Sequence, residues 1–262
     1  MDGVNRTLYI PLYGKAYVSR RGLFIQDKKA EQLWEKEGFA LKGKAKSKWL
    51  AYYMGIRAAV FDDWVIEQLV KMPDAVVVHV GCGLDGRVIR IGDSQHEWYD
   101  VDFASVIEER MQHYTETENY KMIAADIRDE HWLDCLPKTQ SIIVVMEGVS
   151  MYLRKEELQR FMQSLDCRFE QVTLLMDAYT SLAAKLSRYR NPIHSVGVTS
   201  VYGLDDPTEV QQGQLTYTAE HDMTPIRYTE FLTGRDRTVF CKMYAGKMSR
   251  KLYKLFEYQK KR

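Results

Sequence analysis

The chain has little of what would mark a disulfide scaffold, a metal-bound domain or a membrane protein. Its four cysteines, Cys82, Cys135, Cys167 and Cys241, stand far apart with no C-x-x-C spacing. That pattern argues against a zinc ribbon or a redox pair and predicts buried free thiols, with Cys82 and Cys241 in apolar, strand-like stretches. No apolar run approaches the roughly 20 residues that cross a bilayer. The first residues, Met-Asp-Gly-Val-Asn-Arg, carry no apolar signal core, so a soluble cytoplasmic protein is expected. Charge of one sign is also lacking. Thirty-seven basic against 36 acidic side chains leave a formal charge of +1, which offers no overall field for a nucleic acid or a membrane surface. Internal repeats and low-complexity tracts are absent. What is present, 262 residues that are 45% apolar and 28% charged, suits one generous domain or one domain with a cap.

Apolar, β-favouring runs alternate with segments of helical spacing, the pattern of a mainly parallel sheet covered by helices on both faces. Strands are predicted over 76–80, 98–102, 122–125, 142–146, 172–177, 215–218 and 238–244, and helices over 106–114, 155–165 and around 225–232. The expected fold is α/β: a Rossmann-like, doubly wound, seven-stranded sheet whose last strand returns antiparallel. Residues 1–73 precede the first strand and read as an N-terminal helical cap, with helices over 28–36 and 47–71. Residues 74–262 form the core. Within it the polar stretch 187–214, rich in Gly, Pro, Asp and Ser, reads as a lid inserted after the fifth strand. The tail 247–262 has seven Lys or Arg against one Glu and is expected to be a terminal helix with one solvated side.

The stretch Gly81-Cys82-Gly83-Leu84-Asp85-Gly86 follows the first strand and fits G-x-G-x-x-G, a turn that admits a nucleotide-like ligand to the switch point of a doubly wound sheet. Asp102 ends the second strand about 20 residues beyond it, placed for two ribose hydroxyls. Both NAD and S-adenosylmethionine carry that ribose. Asp126 ends the third strand, where an adenine amino group would lie, and Glu147 ends the fourth at the same rim. Three acids around one crevice suit a cationic sulfonium better than a pyrophosphate, which they would repel.

"VVVHVGCGLDGRV", "WYDVDFASVIEER", "AADIRD" and "VMEGVSMYL", in this order and spacing, resemble the leucine carboxyl methyltransferase family, with its bacterial polyketide-type O-methyltransferase relatives. "GIRAAVFDDWV" is similar to that family's segment before the first strand. The resemblance covers residues 57–153 well and the rest loosely. It implies a class I fold with S-adenosyl-L-methionine as cofactor and a small-molecule or peptide acceptor, methylated on a carboxylate or hydroxyl oxygen. It further implies that Arg57 grips the cofactor's methionine carboxylate, that Gly81 and Gly83 form the glycine turn, that Asp102 takes the ribose, that Asp126 with Ile127 takes the adenine, and that Glu147 is the acid after the fourth strand. Gly86 departs from the family's usual threonine, and "IQDKKAEQLW" only loosely echoes its Asp-Pro-x-Ala segment.

Plainer readings stand beside these. Arg57 could be a helix-surface arginine paired with Asp62 or Asp63, and Asp102 and Glu147 could be helix-capping acids. Asp126 could form a local ion pair in its turn, His79 could be a satisfied core histidine, Tyr152 could be packing, and 42–48, "KGKAKSK", could be a solvated loop. No metal site is expected, and no catalytic pair is evident. A carboxylate acceptor needs none, because it is already nucleophilic at pH 7. A phenol or alcohol would want a base, for which His194 or His113 is available. Arg188 and Arg190, after the fifth strand, could steer an anionic acceptor. A nicotinamide-dependent oxidoreductase using NAD or NADP, and a non-catalytic S-adenosylmethionine-binding protein, are the alternatives.

Overall fold

The sequence Val76–Val80 (β1) has no polar alternation, and all five residues are buried, as expected of a parallel strand covered on both faces. The structure, a computed structural model, describes residues 8–37, 43–190 and 201–261. Around β1 lie Trp98–Asp102 (β2), Tyr120–Ala124 (β3), Ser141–Met146 (β4), Gln171–Tyr179 (β5), Thr216–His221 (β6) and Tyr253–Lys260 (β7). They form one seven-stranded sheet in the order β3-β2-β1-β4-β5-β7-β6. β7 runs antiparallel to both its neighbours, β5 and β6, so the other six strands run parallel. The strand order reverses between β1 and β4, and the crevice beyond their carboxyl ends is the switch point of such a sheet.

Three helices precede the sheet: Tyr9–Ser19 (α1), Lys28–Glu37 (α2) and Lys48–Lys71 (α3). α3 starts where Ser47 accepts a hydrogen bond from the Trp49 N–H. It is buried over most of its circumference, Ile56, Phe61 and Val65 being fully enclosed, because α1 covers one side and the sheet the other. α1, α2 and α3 share one apolar core with the β1 and β4 residues Val77, Ile143 and Val145. After the strands come Arg87–Ile91 (α4), Ala104–Met111 (α5), Lys155–Arg168 (α6), Ser181–Arg190 (α7), Ile226–Thr229 (α8) and Gly234–Tyr244 (α9). α6 packs Phe161, Met162 and Leu165 beneath the opposite face, against Val78, Val144 and Leu174. No described helix is long and apolar enough to cross a membrane.

The last quarter departs from the expected pattern. Residues 238–244, anticipated as the final strand, belong to α9, and the tail anticipated as a helix contains β7. The stretch "TVFCKMY" has β-branched and aromatic residues, yet Phe240 and Tyr244, four apart, stack on each other at 5.3 Å along one helix face. In β7 the lysines that suggested a solvated helix face are spoken for by neighbours. Lys254 lies 2.6 Å from Glu220 of β6, and Lys260 lies 3.4 Å from Asp166 of α6. The helix expected around 225–232 shortens to α8. All four cysteines are free, but only Cys82 is buried; Cys135 and Cys167 are exposed, and Cys241 is half-buried on a helix. Residues 201–204 of the presumed lid are tied to the core, Tyr202 N–H donating to the Met151 carbonyl at 2.8 Å and Leu204 N–H to that of Tyr179 at 2.7 Å.

Candidate active site

The glycine turn is shaped by its surroundings. Gly81 and Gly83 adopt φ of 64° and 53°, the left-handed region that strains residues bearing a Cβ. A Cβ on Gly81 would stand 2.1 Å from Val149 Cγ2. The turn is pinned to β2 from beneath: Gly81 N–H donates to the Val101 carbonyl at 2.7 Å, and Gly83 N–H donates to Asp102 Oδ2 at 2.8 Å. The other Asp102 oxygen accepts from Phe103 N–H at 2.8 Å. Burial pushes the Asp102 carboxyl above its ordinary range, despite these two donors.

Above the turn opens a cleft of about 660 Å³, lined from α1, α3, β1, the turn after β4, α7, α9 and the start of β7. One end is ionic. Lys15 of α1, 3% exposed, puts Nζ 2.6 Å from Asp85 Oδ2 and 3.8 Å from Glu147 Oε1. Arg57 of α3 directs Nε and Nη2 to Glu147 Oε1, each at 3.0 Å. Its Nη1 reaches Asp177 Oδ2 at 3.0 Å and the Tyr253 hydroxyl at 2.9 Å. Arg87 donates from Nη2 to Glu147 Oε2 and from Nε to Asp62 Oδ1 at 2.8 Å. Arg90 ties Asp62, Asp27 and Asp85 together at 2.6–2.7 Å.

Burial alone would raise the carboxyls here. For Asp85 the charges of Arg90, Lys15 and Arg87 win and hold it well below the usual range, and for Glu147 those of Lys15, Arg57 and Arg87 do the same. Asp177 is the exception: burial and the charge of Glu147 keep it raised, against the pull of Arg57 and Tyr253. In this cluster four cations, Lys15, Arg57, Arg87 and Arg90, face five carboxylates, Asp27, Asp62, Asp85, Glu147 and Asp177. One negative charge is in excess.

His79 of β1 lines the floor. Its Nε2 lies 3.2 Å from Arg87 Nη1, a donor only, so the ring proton sits on Nδ1, which lies 3.5 Å from Asp100 Oδ1 without making a hydrogen bond. Burial and Arg87 lower its pKa, so it is neutral.

Arg57, Gly81, Gly83 and Glu147 therefore meet in one cleft, and Asp102 joins them through Gly83. Arg57 pairs with neither Asp62 nor Asp63; Asp62 serves Arg87 and Arg90, and Asp63 serves Arg227. Asp126 and Ile127 stand at the end of β3 outside this cleft, and Asp126 is held by Arg128, Nε to Oδ1 at 2.9 Å and Nη2 to Oδ2 at 2.5 Å. His113 sits 3.4 Å from Glu109 of α5 and does not line the cleft. His194 and the side chains of Arg188 and Arg190 lie outside the described residues. Sequence reasoning missed Lys15, Asp177 and Tyr253. For Lys15 a signal existed, a lone lysine inside the apolar and aromatic run "YIPLYGKAYV"; for the other two, partners 120 and 196 residues from Arg57 left none.

A glycine turn at the switch point, an acid closing β2 and a cleft walled by preceding helices define a nucleotide-cofactor enzyme of the doubly wound class. The leucine carboxyl methyltransferase family profile matches residues 9–166. The chain belongs to that family and is an S-adenosyl-L-methionine-dependent O-methyltransferase. The tetracenomycin polyketide synthesis O-methyltransferase TcmP of Streptomyces glaucescens is 29% identical over 213 residues, covering 80% of this chain and 79% of that protein. Two solved structures share the fold. Magnesium protoporphyrin IX methyltransferase from Synechocystis PCC 6803, with bound SAH, has a TM-score of 0.53 at 11% identity, covering 98% of this chain and 99% of that one. A DUF574 family protein from Streptomyces avermitilis MA-4680 has a TM-score of 0.60 at 10% identity, covering 95% and 97%.

Proposed function

We propose that this methyltransferase esterifies the carboxylate of a small-molecule acceptor. The observation that carries the reading is the state of the ionisable groups facing the cleft. Asp85 and Glu147 are each bound by two or more cations, and the one ring nitrogen of His79 free to accept is turned to Arg87. Among the described lining residues no carboxylate or histidine is therefore free to take a proton from a phenol or alcohol. A carboxylate needs no such help.

The residues also suit the cofactor. The excess negative charge of the ionic cluster favours a ligand with a sulfonium and an ammonium group. The glycine turn removes the Cβ atoms that would fill the approach to β1, and Asp102, raised by burial, gains from two hydroxyl donors. We assign Asp102 to the ribose, Asp126 and Ile127 to the adenine, and Lys15, Arg57 and Glu147 to the methionine end, with Lys15 and Arg57 near its carboxylate and Glu147 near its ammonium. When bound, the cofactor supplies an electrophilic methyl whose bonding pair leaves with sulfur as the acceptor oxygen contributes its own pair. The chain's part is to hold and orient both reactants and to exclude water. α1 and α3 do this by closing the cleft with Leu12, Leu50 and Met54.

The test is the product. Incubation with methyl-labelled cofactor and candidate acids is expected to give label released as methanol by mild alkali, as methyl esters are. An alkali-stable methyl ether would refute the carboxylate reading.

A further inference from the structure

Beneath the glycine turn lies a second buried ionic group, separate from the cluster that faces the cleft. Arg110 of α5 and Asp100 of β2 are both fully buried. Arg110 donates from Nη2 to Asp100 Oδ2, from Nε to the Tyr120 hydroxyl at 3.0 Å, and from Nη1 to the Gly83 carbonyl at 2.9 Å. Asp100 Oδ2 also accepts from the Tyr120 hydroxyl at 2.7 Å, and its Oδ1 accepts from Trp98 Nε1 at 3.0 Å. Tyr114 follows one helical turn after Arg110. Its ring lies against the guanidinium, 4.0 Å from Cζ to the centroid, and its hydroxyl donates to the Leu84 carbonyl at 2.9 Å. Neither Arg110 nor Tyr114 lines the cleft.

Burial opposes both charges, and each overcomes it for the other: Asp100 is held below its ordinary range and Arg110 above. Replacing such a pair by apolar side chains of the same volume is often neutral or stabilising, so packing alone gives no reason for it. What an apolar pair cannot supply is a donor aimed at a backbone carbonyl. Glycine has the widest choice of backbone conformations, so the shape of the turn at Gly83 has to be held by its partners. Its N–H is fixed by Asp102 and its carbonyl by Arg110, which ties the peptide units on both sides of Gly83 to β2. The C=O and N–H of a trans peptide point in opposite directions. Drawing the Gly83 carbonyl towards α5 therefore turns the Leu84 N–H away from that helix.

We propose that Arg110 and Tyr114 are positioning residues, which clasp the Gly83 and Leu84 carbonyls and so keep the glycine turn in the shape that receives S-adenosyl-L-methionine. This rests on the seat of the cofactor against that turn and is independent of the acceptor. Asp100 acts one step behind, by aiming the Arg110 guanidinium. Without the clasp the turn samples other shapes, and cofactor affinity falls by the fraction of molecules in which it is no longer competent.

The experiment is calorimetric titration of the full chain with S-adenosylhomocysteine, with urea unfolding and amide hydrogen exchange on the same samples. Tyr114→Phe removes one hydroxyl and keeps the ring, and is expected to weaken binding about threefold or more. Arg110→Met combined with Asp100→Asn removes the charged donor without stranding its partner, and is expected to weaken binding about tenfold or more. In both, residues 81–86 should exchange faster while β4 and β5 keep the protection of the parent, and S-adenosylhomocysteine should slow the turn again. A purely structural part would lower the urea midpoint and leave the affinity of the folded protein alone. Affinity within about twofold of the parent in either folded variant would therefore overturn the assignment of that residue. Should the double variant fail to fold, Tyr114→Phe decides the matter by itself. A parent that does not bind S-adenosylhomocysteine would strike the seat of the cofactor and this inference together, whereas a binding parent with unaltered variants would strike this inference alone.

Discussion

Arg57→Met removes the cation at the centre of the ionic cluster and keeps a stem of similar length. Glu147 would retain Arg87, and Lys15 at 3.8 Å. Asp177 would keep only neutral donors, the Tyr253 hydroxyl at 2.5 Å and Gly148 N–H at 2.7 Å. Removing one member of a buried pair costs about 3–5 kcal/mol, because the partner charge is stranded, and that is the loss expected at pH 7. The pH dependence has a definite sign. Glu147 is held below its ordinary value in the native state, so its contribution is present above the unfolded pKa of about 4.3 and is lost as pH falls through the folded value. Asp177 is held above its ordinary value, so its contribution is present below the unfolded pKa and lost as pH rises. Without Arg57 its pKa climbs further, and protonation on acidification relieves the variant. The Asp177 effect narrows the gap between parent and variant as pH falls from 7 towards about 4, and the Glu147 effect narrows it only below that. Urea unfolding followed by tryptophan fluorescence, with unchanged slope, measures it. A gap below about 1 kcal/mol at pH 7, against the 3–5 expected for a buried pair, or one that widens towards acid, would refute the reasoning.

Gly81→Ala should lower stability by about 2–5 kcal/mol, from the left-handed backbone and the overpacking against Val149. In thermal melts Gly81→Ala with Val149→Ala should recover only the overpacking share; full recovery would show that the backbone carries no strain. Asp102→Ala should cost about 1.5–3 kcal/mol of S-adenosylmethionine affinity by calorimetry, and unchanged binding would return Asp102 to a purely structural part as the Gly83 acceptor. Asp126→Ala should change stability by less than about 1 kcal/mol, since its pair with Arg128 is largely exposed. Its cofactor affinity should fall about tenfold if Asp126 reaches the adenine, and retained affinity would take Asp126 out of the site.

Local pattern by itself determined the centre of this protein. Five parallel strands, the glycine turn and the acids Asp102 and Glu147 were legible because a doubly covered strand is a run of apolar residues, and because the turn that follows it needs glycine for its dihedrals. The long helix bearing Arg57 was equally legible. Tertiary structure decided three other things. It placed β7 where a basic tail suggested a helix, because Lys254 and Lys260 find their carboxylates on β6 and α6, elements remote in sequence. It gave Arg57 its partners Glu147, Asp177 and Tyr253, which lie 90, 120 and 196 residues away. It brought Lys15 of α1 into the ionic end and set Tyr53, Tyr179, Tyr244 and Tyr253 in mutual ring contact around the other. A carboxylate's position along a strand can be read from spacing, but which cation neutralises it depends on helices that cross above it, and spacing along one chain segment holds no record of that crossing.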